Sequence, residues 1–297
     1  MGTIVIAGGT GLLGTALLEA LRLDGHRVVV LTRHPKHEHE VRWSPGDDDL
    51  SWAPTLSGAT AVINLAGTSI ASGRWTAARK RSIHESRTQA TRALVRAIAD
   101  APQPPTAFIS GSAVGYYGAR GNEPATESSP AGSDFLAEVC RDWEAIANQA
   151  ATRSRVVFVR SGVVFAREGG ALPQLVLPFK LFAGGPAGDG KQFVSWIHLH
   201  DWVAMVKWAL ATATIAGPLN VTAPTPVTNE ELSRTIGRVL GRPWWLRAPS
   251  FALRLILGEM ADALVLSGQR VIPEVARQHG FVFRYPTVES ALKEIYS

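Results

Sequence analysis

The chain opens on an apolar run, Thr3-Ile4-Val5-Ile6-Ala7, followed at once by Gly8-Gly9-Thr10-Gly11-Leu12-Leu13-Gly14. The run predicts a strand buried on both faces. From Thr10 to Leu23 the period changes, and Leu13, Leu17, Leu18 and Leu21 fall on one face of a helix. The same alternation continues. Strands are predicted from Arg27 to Thr32, Thr60 to Leu65, Thr106 to Ser110 and Arg155 to Val164, the last with almost no polar interruption. Helices are predicted from Thr76 to Ala99, stopped by Pro102, Pro104 and Pro105, and from Asp134 to Ala151. Strand and helix in this order predict an α/β fold, a Rossmann-like doubly wound parallel sheet.

After residue 165 the pattern is less regular. Gly169-Gly170 and the segment from Phe182 to Lys191 read as loops, with a short strand from Ser195 to His198. Asp201 is expected to cap a helix running to Leu210. Leu219 to Val221 is a last strand, and Thr228 with Glu231 forms a capping box. The region from Pro243 to Ser297 reads as mostly helical. The expected division is a nucleotide-binding domain over residues 1–165 and 192–225, with a smaller, mostly helical cap over 166–191 and 226–297. Phe182, Trp196, Trp244 and Trp245 are candidate walls of a pocket beneath it.

Composition changes this picture little. A chain of 297 residues, 46% hydrophobic, can build a sizeable core. A single cysteine, Cys140, on a predicted helix, suits a buried thiol and a reducing, cytoplasmic setting. No secretory leader is expected, because residues 1–7 already read as strand. The apolar stretch from Ser250 to Gly268 is interrupted by Arg254, Glu259 and Asp262, so it reads as an amphipathic helix pair and not a membrane span. The net charge is +5. Its basic cluster, from Arg74 to Arg96, reads as a solvated helix face, without a nucleic-acid motif. His34, His37 and His39 match no metal-ligand spacing, and no metal is expected. The expected partner is a small-molecule substrate of unknown identity; neither nucleic acid nor membrane is expected, and a homo-oligomer is left open.

The chemistry lies in the glycine turn. A strand, a Gly-x-x-Gly-x-x-Gly turn and a helix form a dinucleotide seat. Gly8 allows the tight turn, Gly11 lets backbone approach a pyrophosphate, and Gly14 lets the helix pack close. Thr10, Leu12 and Leu13 complete the turn, whose free N–H groups face the phosphates. In an NAD site an acid normally ends the second strand and holds the ribose 2′-hydroxyl. Here that strand ends in Thr32-Arg33-His34, with no acid before Glu38. Arg33 suits a 2′-phosphate, with Thr32 as a hydroxyl donor and His34 and Lys36 adding charge, so the expected cofactor is NADP(H).

Several marks now resemble one family. They are GGTGLLG at Gly8 to Gly14, NLAG at Asn64 to Gly67, Arg74-Trp75, Ser86-Arg87, SAVGYYG at Ser112 to Gly118 and Asp134-Phe135 with Trp143-Glu144. RSGVVF at Arg160 to Phe165, SWIH at Ser195 to His198 and GQRVIP at Gly268 to Pro273 complete the set. The chain resembles the extended short-chain dehydrogenase/reductase superfamily, in its NAD(P)-dependent epimerase/dehydratase group. Within that group it is similar to a subfamily of epimerase family proteins with a C-terminal domain of unknown function. The resemblance implies that Leu65, Ala66 and Gly67 run along the adenosine side of the cofactor. It further implies that Arg87 reaches toward the nucleotide, that Ser82 lines the same wall, and that Val164 sits near the nicotinamide.

The superfamily's usual catalytic set is a Ser with a Tyr-x-x-x-Lys pair, whose one-turn spacing lets the ammonium lower the phenol pKa. Aligned on Trp143-Glu144, those positions hold Phe135 and Val139, and no Tyr or Lys lies between residues 118 and 179. Ser112 matches the superfamily serine. Tyr116 or Tyr117 supplies a phenol from the same loop, or the two only wall the pocket. Glu123, Glu127, Glu138 and His198 are acid/base spares that read first as surface or structural residues. Two functions stay open: an NADP(H)-dependent oxidoreductase or epimerase of atypical type, or an NADP(H)-binding sensor acting through a partner.

Overall fold

The computed structural model describes residues 1–47 and 49–297. The chain runs β1 (Thr3–Ala7), α1 (Leu12–Leu23), β2 (Arg27–Thr32), β3 (Glu40–Arg42), β4 (Ala61–Asn64), α2 (Ala77–Asp100) and β5 (Ala107–Ala113). It continues through β6 (Pro124–Ala125), α3 (Phe135–Asn148), β7 (Arg155–Ser161), β8 (Val163–Phe165), α4 (Leu172–Lys180), β9 (Phe193–Val194) and β10 (Trp196–His198). Then follow α5 (Leu199–Ala211), β11 (Gly217–Val221), β12 (Val227–Thr228), α6 (Asn229–Leu240), α7 (Ser250–Leu257), α8 (Glu259–Leu264), β13 (Arg270–Val271), α9 (Glu274–Gln278) and α10 (Val288–Tyr296).

Among the described residues, seven strands form one parallel sheet in the order β11-β7-β5-β4-β1-β2-β3. Helices cover both faces, which is why the central strands are apolar on both. Ile4 and Ile6 face one core with Leu17, Leu21, Trp202 and Met205. Val5 and Ala7 face the other, with Trp43, Trp52, Leu94 and Phe108. The order reverses between β1 and β4, and ligands of open α/β sheets bind at the carboxyl ends beside such a switch. A third cluster packs α4, α6 and α10 around Phe165, Leu172, Phe179, Trp196, Leu232 and Leu292.

Local chemistry explains the helix starts. The Thr76 side chain accepts from the Arg79 N–H, and that of Asp134 from Ala137. Thr228 and Glu231 form the expected capping box. Asp201 does not cap α5: the helix begins at Leu199 with His198 as its cap. The Asp201 carboxylate is buried instead and accepts the N–H groups of Arg284 and Tyr285. The predicted strand from Arg155 to Val164 breaks at Gly162. A Cβ there would meet the Ser195 carbonyl oxygen at 2.6 Å. Past the break, β8 leaves the main sheet and pairs with β10.

The pattern alone missed β3 and α4. β3 is three residues long, and α4 carries Pro173 and Pro178. Trp196 is not a pocket wall: it is fully buried, stacks on Phe165 at 5.4 Å and donates to the Thr225 carbonyl. The helix pair α7–α8 forms as expected, but none of the eight residues of α7 is buried. No helix among the described residues is long and apolar enough to cross a membrane.

Candidate nucleotide site and its neighbouring hydroxyls

The three glycines of the turn do three different things. Gly8 has φ +81°, and a Cβ on it would lie 2.6 Å from the Leu65 carbonyl carbon and 2.8 Å from the Ala66 nitrogen. Only glycine allows both that conformation and that approach. A Cβ on Gly14 would lie 2.3 Å from the Gly8 oxygen and 2.6 Å from the Gly9 Cα, so the helix could not seat on its turn. A Cβ on Gly11 meets only the Gly8 oxygen, at an ordinary 3.6 Å. Gly11 is not needed by the fold; its missing side chain leaves a cradle open. No side chain caps α1, and its first turn holds no acid, so its N–H groups and positive dipole end face that cradle. These features fit a pyrophosphate.

Other expected cofactor residues gather around this turn. Leu65 and Ala66 lie against Gly8, and Gly67 lies against Arg87, whose Cζ would be 3.2 Å from an added Cβ. Arg87 donates to the carbonyls of Thr68 and Ile83 and rests over the Trp143 ring at 5.4 Å. Burial lowers its pKa from the ordinary arginine value. Ser82 and Ser86 border a shallow cavity of about 270 Å³ on α2, with Arg81 and Gln89. On the other side, Val164 pairs with Ile197 in β8, and the following Gly169-Gly170 loop packs on Leu12. Thr10 and Arg33 are exposed, while Leu12, Leu13 and Thr32 are half-buried. Thr32 ends β2, where its hydroxyl accepts from the His34 N–H at 3.4 Å. Arg33 makes no ion pair with any described residue.

The candidate hydroxyls lie in a different environment. Ser112, near the end of β5, is buried and donates to Glu144 Oε1 at 2.6 Å. Glu144 is in turn held at both oxygens by Arg160, through Nε and Nη2, at 2.8 Å each. Arg160 Nη1 donates to the Tyr117 hydroxyl at 2.9 Å, and that hydroxyl donates to Asn220 Oδ1 at 2.6 Å. Burial pushes the Tyr117 phenol up to about 12, against the pull of Arg160. With both lone-pair and proton engaged, Tyr117 holds the core together and presents no free hydroxyl. Tyr116 differs. It is half-buried, its ring lies 3.5 Å from the Arg160 guanidinium, and its hydroxyl has no bonded partner among the described residues.

Glu144, Arg160 and Asn220 were not singled out as site residues from the sequence. The Trp143-Glu144 and Arg160 marks were the available signal. Glu127 belongs to the same framework: its carboxylate accepts the N–H groups of Asn220, Glu274 and Val275, and burial raises its pKa. His198 pairs with Glu294 on α10, Glu123 forms an ion pair with Arg120, and Glu138 is exposed. Phe135 packs edge-on against Trp75 at 5.3 Å, and Val139 is buried. Cys140 is buried too, its thiol pushed up to about 11 by burial. A polar cavity of about 620 Å³ adjoins this region, bordered by Tyr117, Arg120, Glu123, Ser133 and Asp134. The three loop histidines gather no metal-binding cluster among the described residues.

Comparison with known proteins places the chain. The model of the NAD dependent epimerase/dehydratase family matches residues 4–221, and that of a domain of unknown function, DUF1731, matches residues 248–295. A chloroplastic SDR39U1 homolog of Arabidopsis thaliana, described as an epimerase family protein, is 42% identical over 99% of this chain and 86% of its own length. The crystal structure of human epimerase family protein SDR39U1 (isoform 2) with NADPH superposes with a TM-score of 0.92 at 36% identity, over 99% of each chain. A nucleoside-diphosphate sugar epimerase from Corynebacterium glutamicum gives a TM-score of 0.81 at 34% identity, over 99% of this chain and 58% of that one. The chain belongs to the NAD dependent epimerase/dehydratase family.

Proposed function

We propose that this family member binds NADP(H) and moves hydride between the nicotinamide and a carbonyl or hydroxyl carbon of a small substrate. The observation that carries the reading is the open cradle at Gly11, above an uncapped helix start. Arg33 stands free at the end of β2, where a 2′-phosphate would be read, and the human relative with NADPH supports the same choice. Thr10, Leu12, Leu13 and Gly14 hold the pyrophosphate, Leu65 to Gly67 with Ser82 and Arg87 hold the adenosine side, and Val164 borders the nicotinamide.

Reduction of a carbonyl needs a hydride on carbon and a proton on oxygen. The reduced cofactor supplies the hydride when bound. Tyr116, whose phenol is free, supplies the proton and recovers it from water. Ser112 donates its O–H to Glu144, so its oxygen is left to accept a hydrogen bond from a substrate hydroxyl. No lysine stands one turn from Tyr116 to activate it, which predicts slow turnover.

A second reading is favoured by one observation: the hydroxyls of Ser112 and Tyr117 are both engaged within the fold. On that reading the chain senses NADP(H) and acts through a partner. One experiment separates the two. Purified protein is titrated with NADPH and NADH, then screened for NADPH oxidation across a carbonyl panel. The enzyme reading expects turnover that falls in Tyr116→Phe and Ser112→Ala. Turnover surviving both substitutions together refutes the site assignment. Tight binding with no turnover anywhere in the panel supports the sensor.

A further inference from the structure

Large apolar side chains are exposed on one side of the cap. Leu181 and Phe182 follow α4, Trp245 precedes α7, and Phe251, Leu255 and Ile256 lie on α7. The last four are exposed by 74%, 73%, 76% and 67%. They form one surface because two segments run side by side. The Leu246 N–H donates to the Gly184 carbonyl, that of Ala248 to Pro186, and that of Gly188 to Ala248. Arg242 crosses between the segments, its guanidinium 4.5 Å from the Phe182 ring. A soluble surface seldom leaves so many large apolar groups together unless something covers them.

Charge tells what the cover is. Residues 172–188 and 240–258 contain no Asp or Glu, but hold Lys180, Arg242, Arg247 and Arg254. Arg254 pairs with Asp262, and Arg247 lies 3.7 Å from Glu230. Lys180 and Arg242 form no ion pair with any described residue, and the rings of Tyr296 and Phe182 lie beside them. Arg234, over Trp244, adds a third exposed cation, without an ion pair among the described residues. A two-fold pairing of this face with a second copy would set the same cations against one another. An anionic lipid surface complements both features: it buries the aromatic and aliphatic groups at headgroup depth and neutralises the cations around them.

We propose that this face, built from the end of α4, the 181–188 strap and α7, docks the protein peripherally on membranes containing anionic lipid. The interruption of the 250–268 stretch by charge argues only against a span; α7 lies along the surface instead.

The test is flotation of the full chain with vesicles of phosphatidylcholine, alone or with about a third phosphatidylglycerol. Binding is expected on the anionic vesicles and is expected to weaken with salt. Trp245→Ser with Leu255→Ser should lower the partition coefficient about tenfold or more. Lys180→Ala and Arg242→Ala should each lower it roughly fivefold. All four positions are exposed, and unchanged thermal unfolding and nucleotide binding confirm that the variants fold. Failure to float with anionic vesicles overturns the proposal, as does binding that ignores the apolar pair. A dimer in sedimentation that the Trp245/Leu255 variant abolishes, with no vesicle binding, assigns the face to a second copy.

Discussion

Substituting alanine separately at Gly11 and Gly14 separates what the glycine turn does for folding from what it does for the ligand. At Gly14 the new methyl would stand 2.3 Å from the Gly8 oxygen and within 2.8 Å of Gly9 backbone atoms. No side chain can rotate away, so α1 must lift off its turn, at about 1–3 kcal/mol or more. For a chain of this size that lowers Tm by roughly 2–4 °C per kcal/mol. At Gly11 the methyl makes one ordinary contact, at 3.6 Å, and φ is −84°, suitable for any residue. The lost N-cap preference and the reduced entropy of the unfolded chain are each worth under about 1 kcal/mol and oppose one another. The apo Tm should therefore stay within a few degrees of the parent.

Nucleotide reverses the ranking. At a hundred times Kd, ligand stabilises the parent by about 2.7 kcal/mol, and a tenfold loss of affinity halves that. The Gly11 methyl fills the space a pyrophosphate would take, so the thermal shift with NADPH should shrink or vanish in Gly11→Ala. In Gly14→Ala the apo Tm itself should fall. Thermal unfolding with and without NADPH reads both. If Gly11→Ala keeps the parent's shift, or if the two variants lose apo stability equally, the cradle is not where the phosphates bind.

Arg33→Ala should weaken NADPH roughly tenfold or more while leaving NADH nearly unchanged, as measured by titration calorimetry; equal effects on both would remove Arg33 from the 2′-phosphate. Glu144→Gln should cost about 3–5 kcal/mol in urea unfolding, because it leaves the buried Arg160 guanidinium without its counter-charge. Tyr117→Phe should cost about 1–3 kcal/mol, from the orphaned Asn220 and Arg160 groups, and leave any turnover intact. Burial holds His198 below the ordinary histidine value of 6.5, against the pull of its Glu294 hydrogen bond. The unfolded chain then takes up that proton first, so stability is fully present above about pH 6.5 and is lost as pH falls through the lowered folded value. Tm should drop as pH falls below about 6.5 in the parent, and less so in a His198→Gln variant.

What could be read from sequence is what depends on near neighbours. The first strand, the turn and α1 occupy some twenty residues, and each glycine's role is fixed by atoms within that stretch or by Leu65 and Ala66 beside it. The same holds for the Thr76, Asp134 and Thr228 caps, each bonded three residues ahead. Asp201 has the right chemistry for a cap, yet its carboxylate serves N–H groups more than eighty residues away. Trp196 looked like a ligand wall because the sequence does not reveal that β8 leaves the sheet at Gly162 to pair with its strand. α7 looked two-faced, but none of its residues is buried.

The candidate hydroxyls follow the second pattern, and this bears on what the motifs mean. Ser112 meets Glu144 across 32 residues, and Tyr117 meets Asn220 across 103. Arg160 joins the two, Glu127 fastens the Glu274 and Val275 N–H groups, and Ser195 receives the Val271 N–H while donating to the Gln269 carbonyl. Ser112, Tyr117, Glu144 and Arg160, from three of the family marks, thus belong to one buried bonding system that Asn220 and Glu127 tie to residues 272–275, while Ser195 separately fastens residues 269–271. Residues in such a system are constrained by folding as strongly as by chemistry, since an unpaired member is costly. Their presence therefore identifies the fold and its C-terminal attachment. Proton transfer has to be sought in the groups the system leaves free, and of the three hydroxyl protons named from the sequence only that of Tyr116 is among them.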